Sequence, residues 1–254
     1  MNYFRHALVM AALPLLVSTA SAATYEFNLQ RTDAGGDAGV LSGNSLTIDQ
    51  GDLTGTFTGH YVDSPTYTGS TLSGGTVNEA HEVERFYNGL GVCNVGPCYT
   101  ADPLHTVDGT SENGARRDFV EMGFSSGGSE VEVTLTSLVF GWVGDFQYGY
   151  NGTNGAFDIV LDVLGVDGIG LGDILAFSGD ATDGDVQPGW STYAYDLLGE
   201  GLFDSVFGVM AGENGSWKLK SVVVDYTVPL IPLPAAIWLM LGGLGGLAAM
   251  RRRG

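Results

Sequence analysis

Residues 130–143 read EVEVTLTSLVFGWV, an alternation of apolar and polar side chains that is typical of a β-strand with one buried face. The apolar residues occupy odd positions as far as Leu135 and even positions from Leu138 to Trp142. Because successive side chains of a strand point to opposite faces, the buried face changes within this segment. Such a reversal is typical of a β-bulge or of a strand that passes between two sheets.

The segment at 217–226, WKLKSVVVDY, shows the same reversal. Trp217 and Leu219 share one face, whereas Val222 and Val224 share the other. Strands that bend or bulge in this way are found where two sheets pack face to face. Two long strands of this kind therefore favour a jelly-roll-like sandwich over a flat meander.

The composition favours an all-β fold throughout the body of the chain. The 40 glycines disfavour helices, since glycine costs about 1 kcal/mol relative to alanine in a helix interior. Thr, Val, Tyr, Phe and Trp are plentiful and suit strands. We predict a single antiparallel β-sandwich with loops at 31–42 and 62–75. Further strands are predicted at 24–30, 53–62, 119–124, 156–164, 174–177, 191–196 and 203–210.

Both ends of the chain carry features of an exported protein. A basic start, an apolar core at 7–17 and the A-x-A site ASA at 20–22 predict a signal peptide, with a helical core, over 1–22. At the other end, the uncharged apolar run 235–250 predicts a transmembrane helix, and the three arginines after it predict a cytoplasmic flank. The folded domain is predicted to span 23–227.

The tail, residues 228–254, reads VPLIPLPAAIWLMLGGLGGLAAMRRRG. It resembles the VPLPA variant of the PEP-CTERM sorting signals, with Ile231 inserted into the motif. The resemblance implies transient anchoring in the inner membrane of a Gram-negative bacterium, cleavage by an exosortase-type protease, and delivery to the cell surface or the extracellular matrix. The predicted sorting motif comprises Val228, Pro229, Leu230, Pro232, Leu233, Pro234, Ala235, Arg251, Arg252 and Arg253.

The body of the chain is similar to a family of exosortase-dependent surface proteins of the PEP-CTERM group. The similarity lies in the order of short motifs from residue 89 onward: GLGVCNVG, LHTVDG, DFVEMGFS, VTLTSLVFGWVGDFQY, PGW and WKLKSVVVDY. The family tends to have Asn where this chain has Gly109, and often Asp where it has Gln147. The family brings no established catalytic residues, so the resemblance implies location and fold rather than chemistry.

The charge of the predicted domain limits its partners. Residues 23–227 hold six of the ten basic residues and all 29 acidic ones, a net charge of −23. Such a surface repels nucleic acid and anionic lipid, which argues against both as partners.

The two cysteines, Cys93 and Cys98, are separated by four residues. In an oxidising compartment this pair favours a disulfide that closes a small loop. The alternative of a metal site needs two further soft ligands, and the chain has no other cysteine.

The sequence offers no catalytic motif. No G-x-S-x-G, H-E-x-x-H or P-loop pattern occurs, and the predicted domain has three isolated histidines, His60, His81 and His105. Glu79, Glu82 and Glu84 lie near His81 in EAHEVE, where alternation predicts that Glu82 and Glu84 share one face of a solvated edge strand. We therefore expect a protein that is not an enzyme.

Calcium is the candidate cation, since it needs six to eight oxygen ligands from flexible acidic loops. Asp180, Asp183 and Asp185 lie within six residues of one another in SGDATDGDVQPGW, and Asp167 and Asp173 lie in VDGIGLGD. Neither segment has the spacing of a known calcium loop, and aspartate is common in turns because its side chain mimics a backbone turn. No other cofactor is expected.

Two functions remain open. The first is a non-enzymatic exported cell-surface or extracellular-matrix protein, associated with exopolysaccharide and processed by an exosortase. The alternative is a carbohydrate-binding module in which exposed aromatic rings stack on sugars, with or without assistance from calcium. The aromatic candidates are Trp142, Tyr148, Tyr150, Trp190, Tyr193 and Tyr195, although packing in the sandwich core also explains them.

Overall fold

The structure, a computed structural model, describes residues 22–68, 71–94, 106–108, 116–145, 156–162, 174–180, 192–211 and 215–227. Ala23–Tyr226 forms one compact unit. Within the described ranges the chain is almost wholly β-strand, with a short 3-10 helix at Thr32–Ala34. Every described strand pair with an assigned register is antiparallel, which confirms the predicted all-β antiparallel fold.

The strands are, in chain order, β1 (Ala22–Asn28), β2 (Gly39–Ser42), β3 (Ser45–Gln50), β4 (Leu53–Thr68), β5 (Thr71–Glu79), β6 (Glu82–Phe86), β7 (Gly89–Cys93), β8 (Val107–Asp108), β9 (Arg116–Ser126), β10 (Ser129–Glu130), β11 (Val133–Asp145), β12 (Ala156–Asp162), β13 (Ile174–Asp180), β14 (Thr192–Asp196), β15 (Phe203–Asp204), β16 (Val206–Ala211) and β17 (Gly215–Thr227).

These strands form two sheets. Sheet 1 has the order β14-β11-β17-β7-β6, with β1 and β8 also paired to β17 and β15 paired to β11. Sheet 2 has the order β13-β12-β16-β9-β4-β3-β2, with β5 paired to β4 and β10 paired to β9. The first and last strands therefore lie side by side in sheet 1, where the Thr24 hydroxyl donates a hydrogen bond to Asp225 Oδ1 at 2.6 Å.

An aromatic cluster joins the two sheets. Phe27 of sheet 1 lies with its ring centroid 5.7 Å from those of Phe57 and Phe124 in sheet 2. Phe124 in turn contacts Phe207 at 6.2 Å, and all four side chains are buried. The buried faces of both sheets share one hydrophobic core, which gives the fold its sandwich-like character.

A β-bulge accounts for the reversal in the segment at 130–143. Leu135 pairs with Val224 and Ser137 pairs with Val223, so Thr136 is the extra residue in β11. Its hydroxyl donates to the carbonyl of Val223 at 3.0 Å, which supplies a cross-strand hydrogen bond where the regular ladder is interrupted. Buried side chains occupy odd positions before the bulge and even positions after it, so the predicted reversal is confirmed.

A second bulge lies in the neighbouring strand. Val139 pairs with Ser221 and Phe140 pairs with Leu219, so Lys220 is the extra residue in β17. The buried apolar side chains change there from odd positions, Trp217 and Leu219, to even positions from Val222 onward, as the sequence predicts. The reversals therefore mark bulges between two strands of one sheet, and neither strand crosses between sheets.

The predicted loop at 62–75 is wrong. β4 continues through this segment to Thr68, and β5 begins at Thr71. The Gly, Ser, Thr, Asp and Pro content suggested a loop, but the paired strands accommodate it by register shifts on both sides of Thr66, and Ser64 has a positive φ of 50°. Threonine, which is abundant here, favours extended backbone. The predicted loop at 31–42 also contains a strand, β2.

Each of the other predicted strands overlaps a strand of the structure, and the one predicted at 203–210 is divided between β15 and β16. The predicted signal segment, apart from Ala22, and the predicted transmembrane segment at 235–250 lie outside the described residues. No helix among the described residues is long and apolar enough to cross a membrane.

Replacing Phe27 by alanine tests the role of the aromatic cluster. Removing this ring leaves a cavity between the sheets, and we expect Phe27→Ala to lower the free energy of unfolding by about 3–5 kcal/mol. Phe203, which is 57% exposed on β15, is the matched control, and Phe203→Ala should change stability by less than about 0.5 kcal/mol. Urea denaturation followed by circular dichroism measures both. Equal effects would contradict the assigned core.

Candidate functional site

The structure places the predicted site residues on separate elements. His60 lies on β4, His81 lies between β5 and β6, and Asp180 ends β13. Asp183, Asp185, His105 and the rings of the candidate aromatic residues lie outside the described structure, as does the whole sorting motif. Among the described residues, no group of three or more His, Cys, Asp or Glu side chains is placed to hold a metal ion.

Cys93, at the end of β7, is disulfide-bonded. Cys98 lies outside the described residues, so its pairing with Cys93 stays a prediction. Next to Cys93, Asn94 donates from Nδ2 to Oδ1 of the buried Asp118 at 2.7 Å. Cys93 is therefore covalently linked, and the residue after it makes a partly buried polar contact with β9.

His60 forms a structural pair on the face of sheet 2 that points away from the core. Its Nε2 lies 3.0 Å from Oε2 of Glu121, and its ring stacks on Phe119 at a centroid distance of 4.9 Å. The Nε2 and Oε2 atoms are close enough for an ion pair, but their geometry does not meet the angular requirement of a hydrogen bond. We assign the pair to packing of the sheet surface.

Glu82 and Glu84 lie on one face of β6, as the alternation predicts, while Val83 and Arg85 are buried on the other. Burial raises the pKa of Glu84, and the nearby charge of Glu82 raises it further. The guanidinium of Arg31 acts in the opposite direction. The Glu84 carboxyl therefore lies in a partly desolvated environment next to an exposed cation.

An exposed polar and aromatic group lies beside Glu84, at the turn between β6 and β7. The Tyr87 cluster consists of Arg31, Asp33 and Tyr87. Arg31 donates from Nε and Nη2 to the two carboxylate oxygens of Asp33 at 3.1 and 2.9 Å. Its guanidinium carbon lies 4.7 Å from the centroid of the Tyr87 ring, and the Tyr87 hydroxyl donates to Asp33 Oδ2 at 3.4 Å. Tyr87 remains 53% exposed.

The loop that carries Arg31 and Asp33, residues 29–38, is held by a buried arginine. Arg85 donates from Nε to the carbonyl of Leu29 at 3.3 Å and from Nη2 to the carbonyl of Asn28 at 3.2 Å. Burial lowers the pKa of Arg85, whereas the charge of Asp37 raises it. Asp37 itself accepts a hydrogen bond from the Asn28 amide at 2.7 Å. The base of the loop is thereby fixed by charged groups.

The backbone of the same loop is closely packed. The Arg31 amide donates to the carbonyl of Phe86 at 3.0 Å, which aligns the loop with β6. The amide of Gly36 donates back to the Arg31 carbonyl at 3.0 Å, and a Cβ at Gly36 would lie 1.8 Å from the carbonyl oxygen of Gln30. Only glycine allows this close approach. The loop therefore holds Arg31 and Asp33 in one position.

The Tyr87 cluster is suited to binding rather than to reaction. It combines an exposed ring with a guanidinium and a carboxylate whose orientations are fixed by their mutual hydrogen bonds. The sequence alone does not indicate this cluster, because Arg31 and Asp33 lie in a loop and Tyr87 lies in a turn more than 50 residues later. One part of the cluster has a sequence signal: Tyr87-Asn88-Gly89 favours a two-residue hairpin turn between alternating segments, which would place Tyr87 in an exposed turn.

Comparisons of the chain with protein families, with curated proteins and with solved structures find no match in any of the three.

Glu84→Gln tests the environment of β6. A carboxyl whose pKa is raised by folding binds more protons in the folded state, so its contribution to stability falls as pH rises from its ordinary value of 4.5 through the raised value. At pH 7 we expect Glu84→Gln to raise the Tm by about 1–3 °C. At pH 3.5, where both states are protonated, the Tm should match that of the wild type.

Glu132→Gln is the matched control, because Glu132 is an exposed glutamate just before β11. Thermal melts of both variants at the two pH values provide the measurement. A Glu84→Gln variant that is less stable than the wild type at pH 7 would show that the carboxylate is stabilised by its surroundings, contrary to this assignment.

Proposed function

We propose that this chain is a non-enzymatic exported protein of the cell surface or extracellular matrix, associated with exopolysaccharide and processed by an exosortase-type protease. The tail at 228–254 carries the proposal, because the Pro-rich motif, the apolar segment and the three arginines follow one another in the order of a sorting signal. The signal peptide at 1–22 would start export, and the tail would hold the protein in the inner membrane until cleavage.

The disulfide at Cys93 supports an oxidising destination, since structural disulfides persist outside the cytoplasm and are rare within it. The net charge of −23 over 23–227 supports a hydrated surface that stays away from nucleic acid and anionic lipid. For the domain we propose a jelly-roll-like sandwich, supported by the shared core of the two sheets and by the bulged strands β11 and β17.

The mass of the C-terminal peptide of the mature protein, isolated from the cells that produce it, tests the sorting proposal. We expect loss of the residues after the Pro-rich segment. An intact end at Arg251, Arg252 and Arg253 would make the chain a resident of the inner membrane, and the matrix proposal would fail. Pro234→Ala should retain the tail, whereas Pro188→Ala, outside the motif, should be processed normally.

The alternative function is a carbohydrate-binding module, and the exposed Tyr87 cluster is the observation that favours it. Calcium would assist through the acidic segment SGDATDGDVQPGW, with Asp180, Asp183 and Asp185 as the proposed ligands. Carboxylates from one flexible loop are typical calcium ligands.

Thermal melts with calcium and with a chelator test the cation site. If the segment binds calcium, the Tm should rise by several degrees at saturating calcium and return to its starting value with chelator, because a ligand that binds only the folded state stabilises it. The double variant Asp183→Asn, Asp185→Asn should lose the effect, whereas Asp52→Asn, in the turn between β3 and β4, should keep it. A Tm that does not respond to calcium would remove calcium from the proposed function.

A further inference from the structure

We infer that the Tyr87 cluster binds a neutral sugar unit of a polysaccharide, with Tyr87 as the stacking surface and Arg31 and Asp33 as the hydrogen-bonding groups. The inference rests on the proposed association with exopolysaccharide and assigns it to a defined place on the domain. Tyr87 is not among the aromatic residues that the sequence singled out.

The cluster contributes little to the folded state by itself. The side chains of Arg31 and Asp33 are 48% and 52% exposed, and ion pairs this exposed stabilise a protein only slightly. The 3-10 helix that contains Asp33 buries none of its residues. Nevertheless, Arg85, Asp37 and Gly36 hold the loop in a single arrangement. A rigid loop that presents exposed groups reduces the entropy lost when a ligand binds.

The groups presented match the two surfaces of a sugar ring. One face of a hexopyranose carries C–H groups and stacks on an aromatic ring, while its edges carry hydroxyls that donate and accept hydrogen bonds. Tyr87 is 53% exposed even with the Arg31 guanidinium over its ring, so ring surface remains for stacking. Next to it, Asp33 supplies acceptors and Arg31 supplies donors.

The charges around the cluster select a neutral sugar over an acidic one. The two hydrogen bonds from Arg31 to Asp33 place a negative charge directly against the guanidinium and neutralise it. Glu84 is also close enough to Arg31 for the two charges to interact. Around them the domain carries a net charge of −23. A uronate or a sulfated sugar would therefore meet repulsion that a neutral hexose does not.

Titration calorimetry of the full-length protein in mild detergent tests the site, with cellohexaose and mannohexaose as neutral probes and a guluronate hexamer as the acidic one. We expect binding of a neutral hexamer and weaker or no binding of the acidic hexamer. Tyr87→Ala should weaken neutral binding by roughly fivefold or more through loss of the stacking surface. Phe203→Ala removes an exposed ring from β15 and should leave binding unchanged.

Two further variants keep the test decisive if Tyr87→Ala fails to fold. Tyr87→Phe retains the ring and should retain most of the binding, while Asp33→Ala should weaken it. The inference is overturned if neither neutral hexamer binds, if Tyr87→Ala and Asp33→Ala both bind like the wild type, or if the acidic hexamer binds more tightly. None of these results bears on the sorting proposal, which is decided by the mass of the C-terminal peptide.

Discussion

The contact of Phe27 with Phe57 and Phe124 is the interaction on which the rest of the structure depends, because it joins the two sheets at the centre of the core. It also constrains the neighbouring backbone. A Cβ at Gly55 would lie 2.9 Å from the Phe27 ring, so β4 needs glycine where it passes beneath it. The rings of Phe27 and Phe57 therefore fit because β4 has no side chain at Gly55.

The bulges at Thr136 and Lys220 keep the apolar side chains of both long strands of sheet 1 in the core, from Val133 to Phe140 and from Trp217 to Tyr226. Without the extra residue Thr136, the second half of β11 would direct its apolar side chains away from the core, because a shift of one residue reverses every side chain of a strand. Lys220 has the same effect in β17. Between the bulges Leu138 lies opposite Val222, and both are buried, so the two irregularities match each other across the pair.

The reversals at Thr136 and Lys220 could be predicted from the sequence because they depend on local alternation alone. The hairpin formed by β4 and β5 could not, since Gly, Ser and Pro indicate a loop unless the pairing that absorbs Pro65 by a register shift is known. The turn at Tyr87 could be predicted from its sequence, but the assembly of the Tyr87 cluster could not. It requires the chain at Arg31 to lie alongside Phe86, and only tertiary packing brings these distant residues together.

β17 pairs with β1 and with strands on both sides of it, so its arrival determines when the pairing of sheet 1 is complete. β17 is paired with β1, β7, β8 and β11, so the last of the described strands occupies the middle of sheet 1. When the chain is made from its N-terminus, β11 on one side and β7 on the other lack the strand that pairs with both until residues 215–227 arrive. Sheet 1 is therefore completed only when β17 has been synthesised, after the other described strands of that sheet.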